Sequence, residues 1–263
     1  MSHKLEYFYD EATFTLTYLV YDENTKDAVI IDPVLNYDQA ASKTSFESIN
    51  EIDNFIKDHK LNPSFILETH AHADHLTGAP ELKKRHPNLK VAIGKNIVKV
   101  QSTFKEMFNL KDLSTNGSQF DLLLEDDEVI KAGKIEIRTI FTPGHTPACS
   151  SYLIEDMLFT GDALFMPDFG TGRCDFPKGS AKDLYHSIHE KLYKLPDSTK
   201  VFVGHDYQPN GRELKYKTTI GESKKSNIHL KEDTSEKEFV EFRTKRDKTL
   251  NSPRLLLPSI QIN

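Results

Sequence analysis

Nine consecutive residues hold most of the chemistry open to this chain: Thr69-His70-Ala71-His72-Ala73-Asp74-His75-Leu76-Thr77. His70, His72, Asp74 and His75 are all metal-ligand types. Neutral imidazoles and a carboxylate suit zinc, iron or manganese, and no thiolate stands among them to favour a softer metal. The preceding Pro63-Ser64-Phe65-Ile66-Leu67-Glu68 has an apolar centre and reads as a short buried strand. The following stretch, Leu76 to His86, reads as a loop running into a helix. The cluster therefore lies on a loop at a strand end, where a rigid scaffold can aim side chains at one point. A polar loop that is merely rich in histidine is the bland alternative.

Three later segments supply matching ligand types. In Thr142-Pro143-Gly144-His145-Thr146-Pro147 the Pro and Gly force a turn that presents His145. Phe159-Thr160-Gly161-Asp162-Ala163-Leu164 places Asp162 just after an apolar run, and Val203-Gly204-His205-Asp206-Tyr207 does the same for His205. Four strand ends can converge on one edge of a sheet sandwich. One histidine after one strand would say little; HxHxDH, PGHT, GD and GHD in this order say much more.

The elements that must position these groups are legible in outline. Thr13 to Tyr21 and Asp27 to Ile31 read as neighbouring strands, and Asp32-Pro33 stops the second. Phe46, Ile49, Ile52 and Ile56 recur at helical spacing, so a helix is expected over Ser45 to His59. Lys90 to Ile93 reads as a strand, Lys95 to Phe108 as a helix, and Asp121 to Asp127 as an acidic loop or strand edge. Lys134 to Phe141 alternates like a half-buried strand, Ser151 to Ile154 and Met157 to Thr160 form a hairpin, and Lys200 to Val203 is a further strand. Ser180 and Asp183 start a helix whose apolar face is Leu184, Ile188 and Leu192; His186 and His189 on it read as surface residues. Lys231 to Lys248 is polar, with Phe239 and Phe242 as the residues that would pack it.

Whole-chain properties narrow the function classes. At 263 residues the chain can bury a large core without staples. A formal charge of −6 argues against a general nucleic-acid binder. The two cysteines, Cys149 and Cys174, make no disulfide framework or zinc-finger pattern, and free thiols fit a reducing cytoplasm. Met1 to Tyr7 lacks the apolar core of a signal peptide, and no stretch of 18 apolar residues exists to span a membrane. Cys174 reads as a packing residue, and Gly161, Gly170 and Gly172 as turn formers.

On the four ligand segments, the chain resembles the metallo-β-lactamase superfamily over roughly residues 10 to 230. The resemblance implies an α/β (α+β) chain folded as an αββα sandwich, with the metal site at one edge. No linker convincing enough to cut a second domain is visible, so a single domain over 1–263 is expected, with a polar C-terminal extension from about residue 231. By match to the superfamily motif, one metal position takes His70, His72 and His145. The other takes Asp74, His75 and His205, and Asp162 bridges them.

Phe169-Gly170-Thr171-Gly172-Arg173-Cys174-Asp175-Phe176, with His205-Asp206-Tyr207 and the THAHADH run, is similar to the persulfide dioxygenases. This is the family of the ethylmalonic encephalopathy protein, and some of its bacterial members are called β-lactamase-like hydrolases. That resemblance implies one Fe(II) per chain on His70, His145 and Asp162, a two-His, one-carboxylate set that leaves positions open. His72, Asp74, His75 and His205 would then orient the ligands and shape the pocket. Asp74, His205 and Tyr207 would be catalytic, and Arg173 and Tyr207 would contact substrate. Arg173 offers a planar fork to a carboxylate, against the plainer reading of an ion pair with Asp175. The implied partners are glutathione persulfide and O2, with a homodimer or higher homo-oligomer in the cytoplasm. One departure is visible: the family often has Asn-Pro-Arg-Leu where this chain has Asn227-Ile228-His229-Leu230.

The expected activity is thus persulfide oxidation to sulfite and glutathione, in sulfide detoxification. The alternative is a dinuclear zinc hydrolase of glyoxalase II type, acting on thioesters or lactones. A metal-binding sensor or scaffold is a third reading, disfavoured because no ligand position is lost.

Overall fold

The structure is a computed structural model that describes residues 3–263. In chain order its first strands are β1 (Lys4–Asp10), β2 (Thr15–Tyr21), β3 (Asp27–Ile31), β4 (Val34–Asp38), β5 (Lys43–Ser45), β6 (Asn62–Glu68), β7 (Leu76–Thr77) and β8 (Lys90–Gly94). β9 (Leu122–Leu124), β10 (Val129–Ala132), β11 (Ile135–Phe141), β12 (Ser150–Ile154), β13 (Met157–Phe159), β14 (Lys200–Phe202) and β15 (Lys217–Thr219) follow. The α-helices are α1 (Glu47–His59), α2 (Ala79–Arg85), α3 (Ile97–Met107), α4 (Ala181–His186), α5 (Ile220–Ser226), α6 (Glu236–Asp247) and α7 (Leu256–Ile262).

Two six-stranded sheets form, in the orders β1-β2-β3-β6-β8-β9 and β10-β11-β12-β13-β14-β15, with a small β5-β4-β7 sheet beside them. Their inner faces share one core. Leu16, Tyr18, Val20, Val29, Ile31 and Leu67 from the first sheet meet Ile135, Ile137, Tyr152, Ile154, Phe159 and Val201 from the second. The outer face of the first sheet, with Leu19, Ile30 and Ile66, is covered by Ile49, Ile52 and Ile56 of α1. On β2 the inward set alternates with the outward set, yet both are covered, so all seven residues are buried. That double burial explains why this strand reads as a nearly unbroken apolar run. The result is the αββα sandwich.

Most expected elements are found within one or two residues. Asp32-Pro33 does end β3, but β4 starts directly afterwards, at Val34. β1 carried no expectation; it is an edge strand of half-buried residues paired antiparallel with β2. Phe46 does not join the apolar face of α1, which starts at Glu47; its ring is 41% exposed. Ser180 caps α4 by accepting from the Asp183 N–H at 3.1 Å, as its spacing suggests. His189 Nε2 lies 2.9 Å from Glu232 O, and His186 pairs with Glu190 and Glu236, both away from the metal-ligand segments. From residue 231 the chain carries α6 and α7. Phe239 packs α6 fully into the core while Phe242 stays 38% exposed.

Candidate metal centre

In the second sheet β11 is antiparallel to β12, β12 is antiparallel to β13, and β13 is parallel to β14. β11, β13 and β14 therefore run the same way, and their carboxyl ends emerge together. His145 follows β11, Asp162 follows β13 and His205 follows β14. The loop after β6, from the facing sheet, brings His70 to His75. His70, His72, His75, His145, Asp162 and His205 are all buried, and Asp74 is partly exposed.

Among the seven expected ligands, two close groups of ligand atoms result. Those of His70, His145 and Asp162 all lie within 4.8 Å of one another, and so do those of His72, Asp74 and His75. His205 Nε2 stands between them, 3.0 Å from Asp74 Oδ2 and 3.2 Å from Asp162 Oδ1. The superfamily motif pairs His72 with His70 and His145; here His72 groups with Asp74 and His75.

The hydrogen bonds behind the rings decide which nitrogen faces the site. Asp32 accepts from Thr69 N–H and from the Thr69 hydroxyl, both at 2.7 Å. That hydroxyl has spent its one proton, so toward His70 Nδ1, 3.0 Å away, it can only accept. His70 is thereby a Nδ1–H tautomer with its Nε2 lone pair turned inward. His145 Nδ1 donates to Arg173 O at 2.7 Å, with the same consequence. His75 Nδ1 donates to Leu76 O at 3.3 Å. His205 Nδ1 faces the Thr15 hydroxyl at 3.4 Å, and the Thr13 hydroxyl links Thr15 to Asp10. His72 is reversed: its Nε2 donates to Asp32 at 3.1 Å and Glu68 at 3.2 Å, and Nδ1 faces the site.

Correspondingly, among the described residues His70 Nε2, His72 Nδ1 and His75 Nε2 are buried without a hydrogen-bond partner, and Asp74 Oδ2 and Asp162 Oδ1 both converge on His205 Nε2. Orphaned buried polar atoms are costly. Here they converge, and a cation satisfies them together, so the donor set fits a metal. At His70 and His75 the electrostatics agree, since a low pKa leaves the lone pair available. Burial, reinforced by His72, holds the His70 pKa well below its ordinary value and lowers His75 to about 4. Burial alone would lower His72 too, but Asp32 and Glu68 drive it up to about 10. Asp74 and Asp162 stay ionised despite burial, chiefly because of His205.

Two glycines make the close approach feasible. A Cβ on Gly172 would sit 1.9 Å from the backbone oxygen of Asp162. Gly161, at φ +47°, packs against Thr69, where a Cβ would lie 2.4 Å from Oγ1.

Two cavities open on Asp162. One of about 350 Å3 is lined by Phe14, Asp74, His145, Asp162, Tyr207 and Arg254, among others. Its neighbour, about 460 Å3, runs past Phe169 and Tyr207 toward His229 and Arg246. The Tyr207 ring stacks on Phe169 at 4.6 Å and faces His205 at 5.5 Å. Arg173 lines both cavities, but its fork grips Asp175 through two bonds of 2.6 Å, and Nη1 donates to Asn251 O at 2.7 Å. The ion pair, not a free fork, is what the geometry shows. Arg254 is exposed at the mouth and, among the described residues, donates to Ala12 O alone, at 3.2 Å. Cys149 and Cys174 are buried, and burial pushes both thiols up, Cys149 to about 12, so neither is a ready nucleophile. His229 packs over Gly170 and accepts from Thr171 N–H at 3.1 Å.

Several of these groups escaped sequence reasoning. Asp32 followed an apolar strand just as Asp162 does, and the same signal would have marked it. Glu68, Thr69 and Thr15 left no comparable signal, because their roles arise only from what they meet across the fold.

The metallo-β-lactamase superfamily matches residues 11–205, and the chain belongs to it. Within the superfamily it is homologous to persulfide dioxygenases. The mitochondrial persulfide dioxygenase ETHE1 of Homo sapiens is 35% identical over 205 residues, covering 77% of this chain and 68% of that protein. The crystal structure of ETHE1 from Myxococcus xanthus superposes with a TM-score of 0.79 at 29% identity, covering 99% of this chain and 97% of that one. A protein named Glyoxylase B2, from Dictyostelium discoideum, is 49% identical over 262 residues, covering 99% of this chain and 89% of its own length.

Proposed function

We propose that this chain is a mononuclear iron persulfide dioxygenase that oxidises glutathione persulfide with O2 and serves sulfide detoxification. The observation that carries the reading is the trio His70, His145 and Asp162, with ligand atoms within 4.8 Å of one another. Two imidazoles and one carboxylate on one face are the donor set of non-haem iron(II) oxygenases. Similarity to persulfide dioxygenases over most of the chain supports the same reading. Iron held by His70, His145 and Asp162 would supply the one-electron redox chemistry that reaction with O2 needs. One persulfide, one O2 and one water give one glutathione, one sulfite and two protons; the outer sulfur is oxidised and O2 is reduced.

The chain's own residues bind, orient and exclude water. Thr69 and the Arg173 carbonyl hold His70 and His145 with their lone pairs inward. Burial keeps the Tyr207 phenol protonated, so it is a hydrogen-bond donor toward a sulfur or oxygen in the cavity. Phe14, Phe165, Phe169 and Phe176 give the cavities apolar walls. With Arg173 engaged by Asp175, Arg254 at the mouth of the smaller cavity and Arg246 on the larger one are cations placed to meet a substrate carboxylate.

The second reading, a dinuclear zinc hydrolase, is favoured by the trio His72, Asp74 and His75. One experiment separates them: metal content of anaerobically purified protein, with O2 uptake on glutathione persulfide. One iron per chain with persulfide-dependent uptake supports the dioxygenase. Two zinc ions with thioester hydrolysis and no uptake refutes it.

A further inference from the structure

The loop from His70 to His75 has no ladder partners, so its carbonyls must find donors elsewhere. They find them at the far end of the chain. Asn263 Nδ2 donates to His72 O and to His75 O, both at 2.8 Å, and the Ser259 hydroxyl donates to His75 O at 3.1 Å. Asn263 Oδ1 in turn accepts from Thr77 N–H at 2.8 Å. The Thr77 hydroxyl donates to Glu68 at 2.5 Å, and Glu68 accepts from His72 Nε2 at 3.2 Å. One carboxamide thus grips both ends of the segment that carries His72, Asp74 and His75, and closes a ring of bonds around His72.

The segment leading to it is laid across the site. Arg173 Nη1 donates to Asn251 O, Gln39 Nε2 donates to Arg254 O at 3.3 Å, and Arg254 donates to Ala12 O. Ser259 is fully buried against the loop. Behind the loop lies a cavity of about 250 Å3, lined by Glu68, His70 and His72 and walled on one side by Ile262 and Asn263. Without α7 this rear face of the ligand loop would stand open to water.

We propose that residues 251–263 form a strap of the metal centre, with Asn263 and Ser259 as positioning residues that set the orientation of His72, Asp74 and His75. The inference goes beyond the proposed activity and holds for iron or zinc alike, so its failure would leave the choice between dioxygenase and hydrolase untouched.

The test uses the full chain carrying Asn263→Asp, Asn263→Gln, Ser259→Ala and the double variant Ser259→Ala/Asn263→Ala. Asn263→Asp keeps volume and an acceptor for Thr77 N–H but removes both donations to the loop. The readouts are the Fe(II) and Zn(II) dissociation constants by chelator competition, the visible spectrum of the Co(II)-loaded protein, and the melting temperature of metal-free protein. Asn263→Asp is expected to weaken metal binding about 10–100-fold, as loss of a group orienting ligands does. The Co(II) spectrum should change, Asn263→Gln should restore part of the affinity, and the double variant should be weaker than Ser259→Ala alone. Wild-type affinity and an unchanged Co(II) spectrum in folded Asn263→Asp and Ser259→Ala would overturn the proposal. So would a fall in metal-free melting temperature with no change in either metal property, since α7 would then stabilise the fold without positioning the ligands.

Discussion

Replacing Asp32 with Asn tests whether the tautomer network built behind the histidines matters to the metal. Asp32 is 3% exposed and accepts from Thr69 N–H, the Thr69 hydroxyl and His72 Nε2. Asn has nearly the same shape, but one terminal atom becomes a donor. At Oδ1 that donor would meet two fixed N–H groups, so the amide must turn its NH2 toward the Thr69 hydroxyl. The hydroxyl proton then loses its acceptor, and the His70 tautomer loses its lock. Three charge-assisted bonds, worth about 1.5–3 kcal/mol each, become at best three bonds to a neutral amide of about 0.5–1.5 kcal/mol. Allowing for non-additivity, the metal-free fold should lose about 2–4 kcal/mol, seen as a melting temperature lower by about 5–10 °C. His72 keeps Glu68 but loses the Asp32 charge that helps raise its basicity, so its Nδ1 becomes a weaker ligand for a metal. Metal affinity should fall about 10–100-fold. The assay is chelator competition on the folded variant beside calorimetry of its metal-free form. A variant that melts early yet binds metal within about twofold of wild type refutes the reasoning, because the network would then support the fold alone.

Further outcomes follow from the same geometry. His145→Ala should lose metal and activity together while staying folded, since its loop offers no substitute ligand; Asp74→Ala should retain a measurable share of iron, at a cost of about 10–100-fold in affinity. Metal content per chain checks both. Arg254→Ala should raise KM for glutathione persulfide about tenfold with kcat little changed, whereas Arg173→Ala, which breaks the Asp175 pair, should lower the melting temperature as well; steady-state kinetics with calorimetry reads the difference. His229 is lowered to about 4 by burial and by Arg243, while an unfolded histidine titrates near 6.5. The unfolded state therefore binds more protons between these values, so this contribution is intact above about pH 6.5 and lost as pH falls toward 4. His229→Gln should remove about 1 kcal/mol of the stability loss between pH 7 and pH 5, after allowing for partial exposure. Parallel denaturation profiles for wild type and variant would contradict this.

The ligand inventory was legible because it is local. Histidines two and three positions apart, and Pro, Gly and apolar runs that mark strand ends, are encoded within a few residues, and the seven ligand types follow from them. The sandwich was legible for a related reason: period-2 and period-3.6 patterns register which face each element buries. β1 and β4 escaped because an edge strand and a short strand bury too little to leave a clear pattern. The tertiary structure alone decided which lone pairs point inward. Thr69 acts on His70 only because Asp32, 37 positions earlier, takes the hydroxyl proton. It settled Arg173 on the Asp175 pair that the sequence had offered as the plainer reading, set Arg254 at the cavity mouth, and carried Asn263 back to His72 across 191 positions. Hydrogen-bond direction at a buried ring depends on the one acceptor within about 3 Å. No spacing rule records which residue that is, because packing, not chain proximity, brings it there.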